Sequence, residues 1–210
     1  KLAAKIMAGM SLDDLGFTEE VHPKHYAVKE AVFPFLKFPG TDALLGPEML
    51  STGEVMGLSD DFGTAYAKSQ IAAGNSLPVT GSVLFSIRDA DKARSVPVAR
   101  RLHEMGFKIV ATKGTCIEFI KNNIPSEFAL KMTEGRPNIV DAIINGQIDL
   151  IVNTTVGKQS ITDSFAIRRN AVDRQIPYVT TIRGAEAVVK AIESLKARQI
   201  RVKPIQLYHR

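Results

Sequence analysis

From Ser82 onward, short runs rich in β-branched residues alternate with segments of helical periodicity, and this alternation restricts the fold more than any other feature of the sequence. The five strand-like runs are SVLFSI (82–87), KIVAT (108–112), FALK (128–131), IDLIVNTT (148–155) and YVTTI (178–182). Strand–helix repetition predicts a parallel sheet with right-handed crossovers and helices on both faces. The expected fold class is therefore α/β, a doubly wound parallel five-stranded sheet.

Proline and capping residues set the ends of the helices that we expect between these strands. A helix over about 94–105 contains Pro97, which is tolerated only if it falls in the first turn. Pro137 suits the first position of a later helix. Residues 160–163 are typical of a capping box and predict the start of another helix.

The first 80 residues have a different character. Residues 24–38 predict an extended apolar segment, residues 51–57 a turn-rich one, and Ser59 is placed to cap a helix that reaches Ala73. About 75 residues can bury only a modest core. We therefore expect this part to rest on protein outside the sequence, followed by a linker over 75–81 with proline and small polar residues.

Composition indicates a soluble globular protein, since 45% of the residues are hydrophobic and 23% are charged. No apolar stretch approaches the roughly 18 residues that a membrane-spanning helix needs. The sequence opens at Lys1, not Met, with no signal-peptide core, so we expect an excised part of a longer protein. Cys116 is the single cysteine, which excludes an intramolecular disulfide and a four-cysteine zinc site and fits a reducing cytosol.

The net charge of +5 conceals a strong division along the chain. Residues 1–80 hold six of the 27 basic and ten of the 22 acidic residues, so residues 81–210 hold 21 basic and 12 acidic ones. The basic residues of the second part are scattered over predicted loops and helix faces, without basic runs or interleaved aromatic residues. This arrangement favours a small anionic ligand over nucleic acid.

Polar side chains gather where the predicted strands end. In an open parallel sheet, ligands bind beyond the carboxyl ends of the strands, where helix N-termini also point. The candidate residues at these ends are Ser86, Lys92, Thr112, Thr115, Lys131, Asn153, Thr154 and Thr155. Hydroxyls, an amide and ammonium groups in this arrangement predict a phosphate-binding pocket.

Each of these residues also has an ordinary structural interpretation. Thr112 and Thr115 suit a strand end and a helix cap, Lys92 and Lys131 suit a solvated surface, and Asn153 suits an Asx turn. The agreement of four loops favours the pocket over these separate explanations.

Catalysis has weaker support in the same loops. The four histidines lie outside them, and acid–base chemistry usually needs a histidine or paired carboxylates. Cys116, at a predicted helix start, is more typical of a small buried core residue than of a nucleophile. The sequence contains no glycine-rich nucleotide fingerprint. The cleft is therefore expected to bind a ligand without transforming it.

Several motifs resemble the C-terminal end of the large subunit of bacterial carbamoyl phosphate synthetase. PFLKFPGTDALLGPEMLSTGEVMG (34–57) resembles the end of that family's second ATP-grasp unit. SIRDADK, ATKGT, EGRPN and VNTT resemble, in order and spacing, its allosteric domain of methylglyoxal-synthase-like fold. The resemblance implies a remnant of the ATP-grasp unit with linker over 1–75 and an allosteric domain over 76–210.

In that family the allosteric domain binds the inhibitor UMP and the activator IMP in one pocket. The resemblance places this pocket at the strand-end residues named above. It also implies a second effector, ornithine, at the domain boundary, with Glu30, Tyr178 and Thr180 at the positions of its ligands. A solvated carboxylate is the ordinary alternative for Glu30, and the resemblance implies that further ornithine ligands precede Lys1.

The resemblance further implies that the intact protein is a cytoplasmic ligase of arginine and pyrimidine biosynthesis. It would make carbamoyl phosphate from glutamine-derived ammonia, bicarbonate and ATP, with Mg²⁺ or Mn²⁺ and K⁺. Its partners would be the rest of the large subunit and the glutamine amidotransferase small subunit in a hetero-oligomer, without nucleic acid or membrane. The part given by this sequence is expected to bind no cofactor and to be non-catalytic.

Two other functions stay open at this point. One is a free-standing methylglyoxal-synthase-like lyase acting on a small phosphorylated substrate, although Pro137 and Val156 stand at about the places where such lyases carry active-site carboxylates. The other is a nucleic-acid-binding module, which a steep salt dependence of DNA or RNA binding would reveal.

Overall fold

A computed structural model describes residues 1–33, 35, 53–154 and 164–208 of the chain. The expected five-stranded sheet is present, and all its strands are parallel. The strands are β3 (Ser82–Ser86), β4 (Lys108–Thr112), β5 (Glu127–Ala129), β6 (Leu150–Asn153) and β7 (Tyr178–Val179). Their order along the sheet is β5-β4-β3-β6-β7.

Helices cover both faces of this sheet, which confirms the doubly wound α/β class. They are α3 (Lys92–Glu104), α4 (Lys113–Lys121), α5 (Ile139–Ile144), α6 (Phe165–Asp173) and α7 (Ile182–Ala197). Alternation along β3 sends Val83 and Phe85 into a core shared with α3, α4 and α7. Leu84 enters a second core with α5 and α6. Burial of the central strand on both faces explains its continuous apolar run.

Two predictions about helix ends were wrong. Pro97 is the sixth residue of α3 and lies inside the helix, not in its first turn. Pro137 precedes α5 by two residues, and Asn138 caps that helix by accepting hydrogen bonds from the backbone N–H of Val140 (2.9 Å) and Asp141 (3.3 Å). The capping box predicted over 160–163 lies outside the described residues.

An antiparallel pair of strands precedes the large sheet. Strand β1 (Tyr26–Val32) pairs with β2 (Gly53–Ser59), and α2 (Phe62–Ala72) packs against both. The turn-rich structure predicted over 51–57 was wrong for its described residues, 53–57, which form most of β2. Their glycines disfavour a strand locally, but pairing with seven residues of β1 overrides that propensity.

Helix α2 joins this pair to the large sheet by packing against α7. It is capped by Asp61, not by Ser59 as predicted, because the Asp61 carboxylate accepts a hydrogen bond from the Thr64 N–H at 2.8 Å. The same carboxylate accepts one from the Ser194 hydroxyl of α7 at 2.8 Å. A methyl group on Gly63 would collide with the Lys190 backbone oxygen, so the two helices approach closely here.

Glycine also permits a close approach on the other side of α2. A methyl group on Gly57 of β2 would collide with the backbone oxygen of Ala65 and the backbone nitrogen of Ser69. Helix α2 is therefore held between β2 and α7 by contacts that leave no room for side chains at these two points.

The two ends of the described chain differ in their packing. Helix α1 (Leu2–Met7) has no buried residue. Near the other end, the Tyr208 hydroxyl donates a hydrogen bond to the Leu58 carbonyl of β2 at 3.0 Å, and the Lys203 ammonium lies 4.2 Å from the centre of the Tyr208 ring. None of the helices in the described ranges is long and apolar enough to cross a membrane.

Candidate functional site

The carboxyl ends of β3, β4 and β6 bring most of the predicted site residues to one edge of the sheet. Ser86 of β3 pairs in register with Asn153 of β6, and the Thr154 N–H donates to the Ser86 carbonyl at 3.1 Å. Thr112 ends β4, the neighbour of β3 on its other side. Thr155 lies outside the described residues.

The turn from β4 into α4 presents two threonine hydroxyls. The Oγ1 atoms of Thr112 and Thr115 lie 3.4 Å apart. Thr112 stands at the N-cap position of α4, but its side chain makes no capping hydrogen bond, so this hydroxyl does not cap the helix. Thr115 is fully buried and accepts a hydrogen bond from the Ile87 N–H at 3.3 Å. Thr115 therefore ties the loop after β3 to the start of α4.

Lys92 joins this turn from the first position of α3. Its side chain is 22% exposed, and its Nζ lies so close to Gly114 that a methyl group there would collide with it. The ammonium thus lies at the N-terminus of α4, beside backbone N–H groups that carry partial positive charge. This combination suits an anion.

Lys131 lies just after β5, the outermost strand on the β4 side of the sheet. It was predicted to end the third strand, but β5 ends two residues earlier, at Ala129. Lys131 is exposed, and its backbone N–H donates to the Glu134 carboxylate at 2.8 Å. The ammonium is close enough to Asp89 to contribute to the lowered pKa of that carboxyl, after the larger effect of Lys92.

Asn153 carries the clearest sign of an unfilled hydrogen-bonding requirement. Its side chain is 1% exposed, and its Oδ1 lies 3.5 Å from the Ser164 hydroxyl, which donates to it. Within the described part of the chain, the buried Nδ2 has no hydrogen-bond partner. Because buried polar groups are nearly always paired, this amide is a candidate donor to a ligand oxygen.

Thr154 belongs to a network that sequence reasoning missed. Its hydroxyl accepts a hydrogen bond from the Arg88 N–H at 3.1 Å and donates to the Asp91 carboxylate. The buried Asp91 also accepts from the Arg88 Nε at 2.5 Å, and this bond holds the pKa of Asp91 below its usual range. The network fixes the loop after β3 against the loop after β6. The only sequence signal is the spacing of three residues between Arg88 and Asp91.

The residues predicted for a second effector lie on different elements. Glu30 of β1 is half-buried, and burial raises the pKa of its carboxyl despite a hydrogen bond from Gln70 of α2. Tyr66, also on α2, has a pKa raised to about 12 by burial and by the charge of Glu30. The Tyr178 ring packs against the core of α5 and α6, on the face of the sheet opposite α2. Thr180 follows β7 and is exposed.

Possible metal ligands and the single cysteine are the remaining side chains of chemical interest. Within 1–33, 35, 53–154 and 164–208, no group of three His, Cys, Asp or Glu side chains is arranged to hold a metal ion. Cys116 is confirmed as a buried core residue, with its Sγ 3.4 Å from the Ser126 hydroxyl.

Comparison with known proteins relates the chain to one domain family and to one kind of enzyme subunit. Residues 94–180 match the family model described as MGS-like domain. The chain is 53% identical over 210 residues to the carbamoyl phosphate synthase large chain of Archaeoglobus fulgidus, and 52% identical over 208 residues to those of Myxococcus xanthus and Nostoc. These matches cover 99–100% of this chain but 19–20% of the relatives. The chain therefore spans about a fifth of the length of the curated relatives it matches.

Proposed function

Because the chain carries an MGS-like domain and is a homologue of the C-terminal part of carbamoyl phosphate synthase large chains, we propose that it is the regulatory part of such a synthase and binds UMP and IMP. The proposal assigns residues 76–210 to the effector domain and residues 1–75 to the end of an ATP-grasp unit. The intact cytoplasmic enzyme would join ammonia from glutamine, bicarbonate and phosphate from ATP, with Mg²⁺ or Mn²⁺ and K⁺. It would act together with a glutamine amidotransferase subunit in arginine and pyrimidine biosynthesis.

One observation carries the nucleotide proposal. The Thr112 hydroxyl, the Lys92 ammonium and the Asn153 Nδ2, which has no hydrogen-bond partner among the described residues, lie at the carboxyl ends of neighbouring strands. The first two suit a phosphate, since charge-assisted hydrogen bonds to phosphate are the strong ones. The buried amide suits an oxygen of the attached nucleoside. Together they support a ligand with a phosphate at one end and a polar group at the other.

Regulation then follows from differential affinity. A nucleotide can shift the synthase only if it binds more tightly to one arrangement of this domain against the rest of the enzyme than to the other. UMP as inhibitor and IMP as activator would favour opposite arrangements from a shared pocket. Coupling of about 1–3 kcal/mol is ordinary for such effectors.

Ornithine binding at Glu30 is the less supported part of the proposal. A half-buried carboxylate suits a cationic amine, because pairing would offset the desolvation that raises its pKa. Tyr178 packs against the core of α5 and α6 and Glu30 lies on β1, so the proposed ligands would reach ornithine from different elements.

A phosphate-eliminating lyase fits the same pocket less well. A lyase of this kind needs a carboxylate that accepts a proton from the substrate. Among the described residues, Asp89 and Asp91 stand in the turn directly before Lys92, and both have lowered pKa values, because Lys92 hydrogen-bonds the first and Arg88 the second. Lowered pKa values make both groups weak bases.

Calorimetric titration of the 210-residue chain with UMP, IMP and ornithine tests the proposal. Uridine and inosine, which lack the phosphate, are the matched control ligands. Both monophosphates should bind, should compete with one another, and should bind more tightly than their nucleosides. Undetectable binding at millimolar UMP and IMP, or formation of methylglyoxal from dihydroxyacetone phosphate, would overturn it.

A further inference from the structure

One side-chain hydrogen bond connects the two parts of the chain that carry the ligand groups of the proposed pocket. Lys92 directly follows Asp91 in the sequence, and Asn153 directly precedes Thr154. The Thr154 hydroxyl donates a hydrogen bond to the Asp91 carboxylate. The bonded pair therefore lies next to the ammonium on one side and next to the buried amide on the other.

The Asp91 carboxylate is a firmly held acceptor. The residue is 6% exposed, and its two oxygens accept hydrogen bonds from the Arg88 Nε at 2.5 Å and the Arg88 Nη2 at 3.3 Å. The Arg94 guanidinium lies 3.9 Å from the same carboxylate. A hydrogen bond to an ionised acceptor is stronger than one between neutral groups. The Thr154 hydroxyl is thus bonded to an anion that two arginines hold in place.

The Thr154 hydroxyl uses its single hydrogen in this bond. A hydroxyl has one donor hydrogen and two acceptor lone pairs. The hydrogen goes to Asp91, and a lone pair accepts from the Arg88 N–H at 3.1 Å. The residue is 4% exposed. An anionic ligand needs donors, so a phosphate oxygen cannot use this hydroxyl while Asp91 holds its hydrogen.

The two ligand groups depend on different structures for their positions. Asn153 is fixed by the sheet, because it pairs in register with Ser86. Lys92 lies beyond the turn that follows Ser86, at the start of α3, where no strand pairing holds it. The bond between Asp91 and Thr154 brings the start of α3 back to the end of β6 and so relates the two positions.

We propose that Asp91 is a positioning residue of the pocket, which uses its bond to Thr154 to hold the Lys92 ammonium at a fixed distance from the Asn153 amide. The inference rests on the proposed function, because it concerns the same pocket, and it adds how the pocket is ordered before a ligand arrives. A ligand that contacts both groups binds more tightly when their spacing is already fixed, since less ordering accompanies binding.

A double-mutant cycle on UMP affinity, measured by calorimetry in the 210-residue chain, tests this role. Asp91→Ala and Thr154→Val each break the bond, so each should weaken UMP binding by about tenfold. Both changes remove the same contact, so the double variant should also lose about tenfold and not about a hundredfold. Thr154→Ser keeps the hydroxyl and should retain the wild-type affinity. Additive losses, or a loss in Thr154→Ser equal to that in Thr154→Val, would overturn the inference.

Glu193→Ala is the matched control. The Glu193 carboxylate accepts hydrogen bonds from the Arg101 Nε at 2.8 Å and the Arg101 Nη2 at 2.5 Å, so this variant breaks a similar arginine–carboxylate pair. Arg101 lies in the last turn of α3, whereas Lys92 begins that helix. UMP affinity should not change in Glu193→Ala. A loss as large as that in Asp91→Ala would mean general destabilisation and would refute the positioning role.

Exchange of the Asn153 side-chain amide hydrogens with water tests the positioning role by NMR without a nucleotide. This exchange should become at least about fivefold faster in Asp91→Ala and in Thr154→Val, because the buried amide opens more readily once the bond is lost. The buried side-chain amide of Gln70, on α2, is the internal reference and should not change. If UMP and IMP do not bind, the proposed function fails, whereas faster exchange confined to Asn153 still supports the inference. Unchanged exchange at Asn153 contradicts the inference even if UMP binds.

Discussion

At the scale of single residues, Lys131 should contribute to binding and little to stability. Its side chain is exposed, and the hydrogen bond to Glu134 comes from its backbone, which alanine keeps. Lys131→Ala should therefore weaken UMP binding by about tenfold to a hundredfold, the effect of losing one charge-assisted phosphate contact. The free energy of unfolding should stay within about 0.5 kcal/mol of the wild-type value.

Calorimetry and urea denaturation measure these two effects on Lys131→Ala separately. Lys121→Ala, an exposed lysine at the end of α4, is the control and should change neither quantity appreciably. A Lys131→Ala protein that unfolds readily, yet binds UMP normally where folded, would show that the lysine supports the fold and that the phosphate is misplaced.

Thr115 should behave in the opposite way. The fully buried hydroxyl is the acceptor for the Ile87 N–H, and valine fills the same volume without an acceptor. Thr115→Val should lower the free energy of unfolding by about 1–3 kcal/mol, the range for a buried donor left unsatisfied. Chemical denaturation of the variant beside Thr18→Val, an exposed threonine, measures the difference. Equal stability of the two variants would contradict the structural role.

The sequence predicts which residues lie at the carboxyl ends of the strands, but not which of them bind other parts of the protein and which face a ligand. Thr112 and Asn153 could be placed because the ends of parallel strands follow from the alternating pattern. The partners of Thr115 and Thr154 could not, since Ile87 and Arg88 lie 28 and 66 residues away from them along the chain. The anion at Asp89 was visible in the sequence, but its contact with Lys92 depends on the turn between β3 and α3.

At the scale of elements, the Asp61 cap of α2 should make stability depend on pH. Hydrogen bonds from the Thr64 N–H, Ser194 and the Thr64 hydroxyl lower the pKa of Asp61 in the folded chain. A carboxyl whose folded pKa lies below its unfolded pKa adds stability above the unfolded value, about 4, and loses it as the pH falls through the folded pKa.

Asp61→Asn keeps a good capping residue and removes this titration. The variant should be less stable than wild type by about 0.3–1 kcal/mol at pH 6, the range for a negative charge at a helix N-terminus, and the difference should shrink as the pH falls from 6 to 3. Urea denaturation across that range gives the result. A difference that stays constant with pH would mean that the Asp61 charge does not contribute to the cap.

The sequence predicts elements whose signal lies in their own residues. It fails for elements whose structure depends on packing or pairing with another part of the chain. The apolar, β-branched runs of β3, β4 and β6 are local signals that predict these strands. Gly146, with a φ of +67°, follows the end of α5, a position where glycine is common. Strand β2 contains two glycines and forms because β1 supplies the hydrogen bonds. Pro97 shows that favourable packing of α3 outweighs the loss of one helical hydrogen bond.

At the scale of the whole molecule, the charge division should make nucleotide binding depend on salt. Residues 81–210 carry nine more basic than acidic residues, whereas residues 1–80 carry four more acidic than basic ones. UMP affinity should fall several-fold between 50 and 300 mM NaCl, because the Debye length shortens from about 14 to about 6 Å. Binding of uridine, which has no charge, is the control. Parallel salt dependences for UMP and uridine would argue against an electrostatic subsite.

The close backbone contacts at Gly57 and Gly63 should make the packing of α2 rigid on both sides. An interface filled by side chains can absorb a small displacement through rotamer changes, but backbone touching backbone cannot. A tilt of α7 should therefore displace α2 and, with it, the paired strands β1 and β2. A displacement of the paired strands should reach α7 through the same contacts.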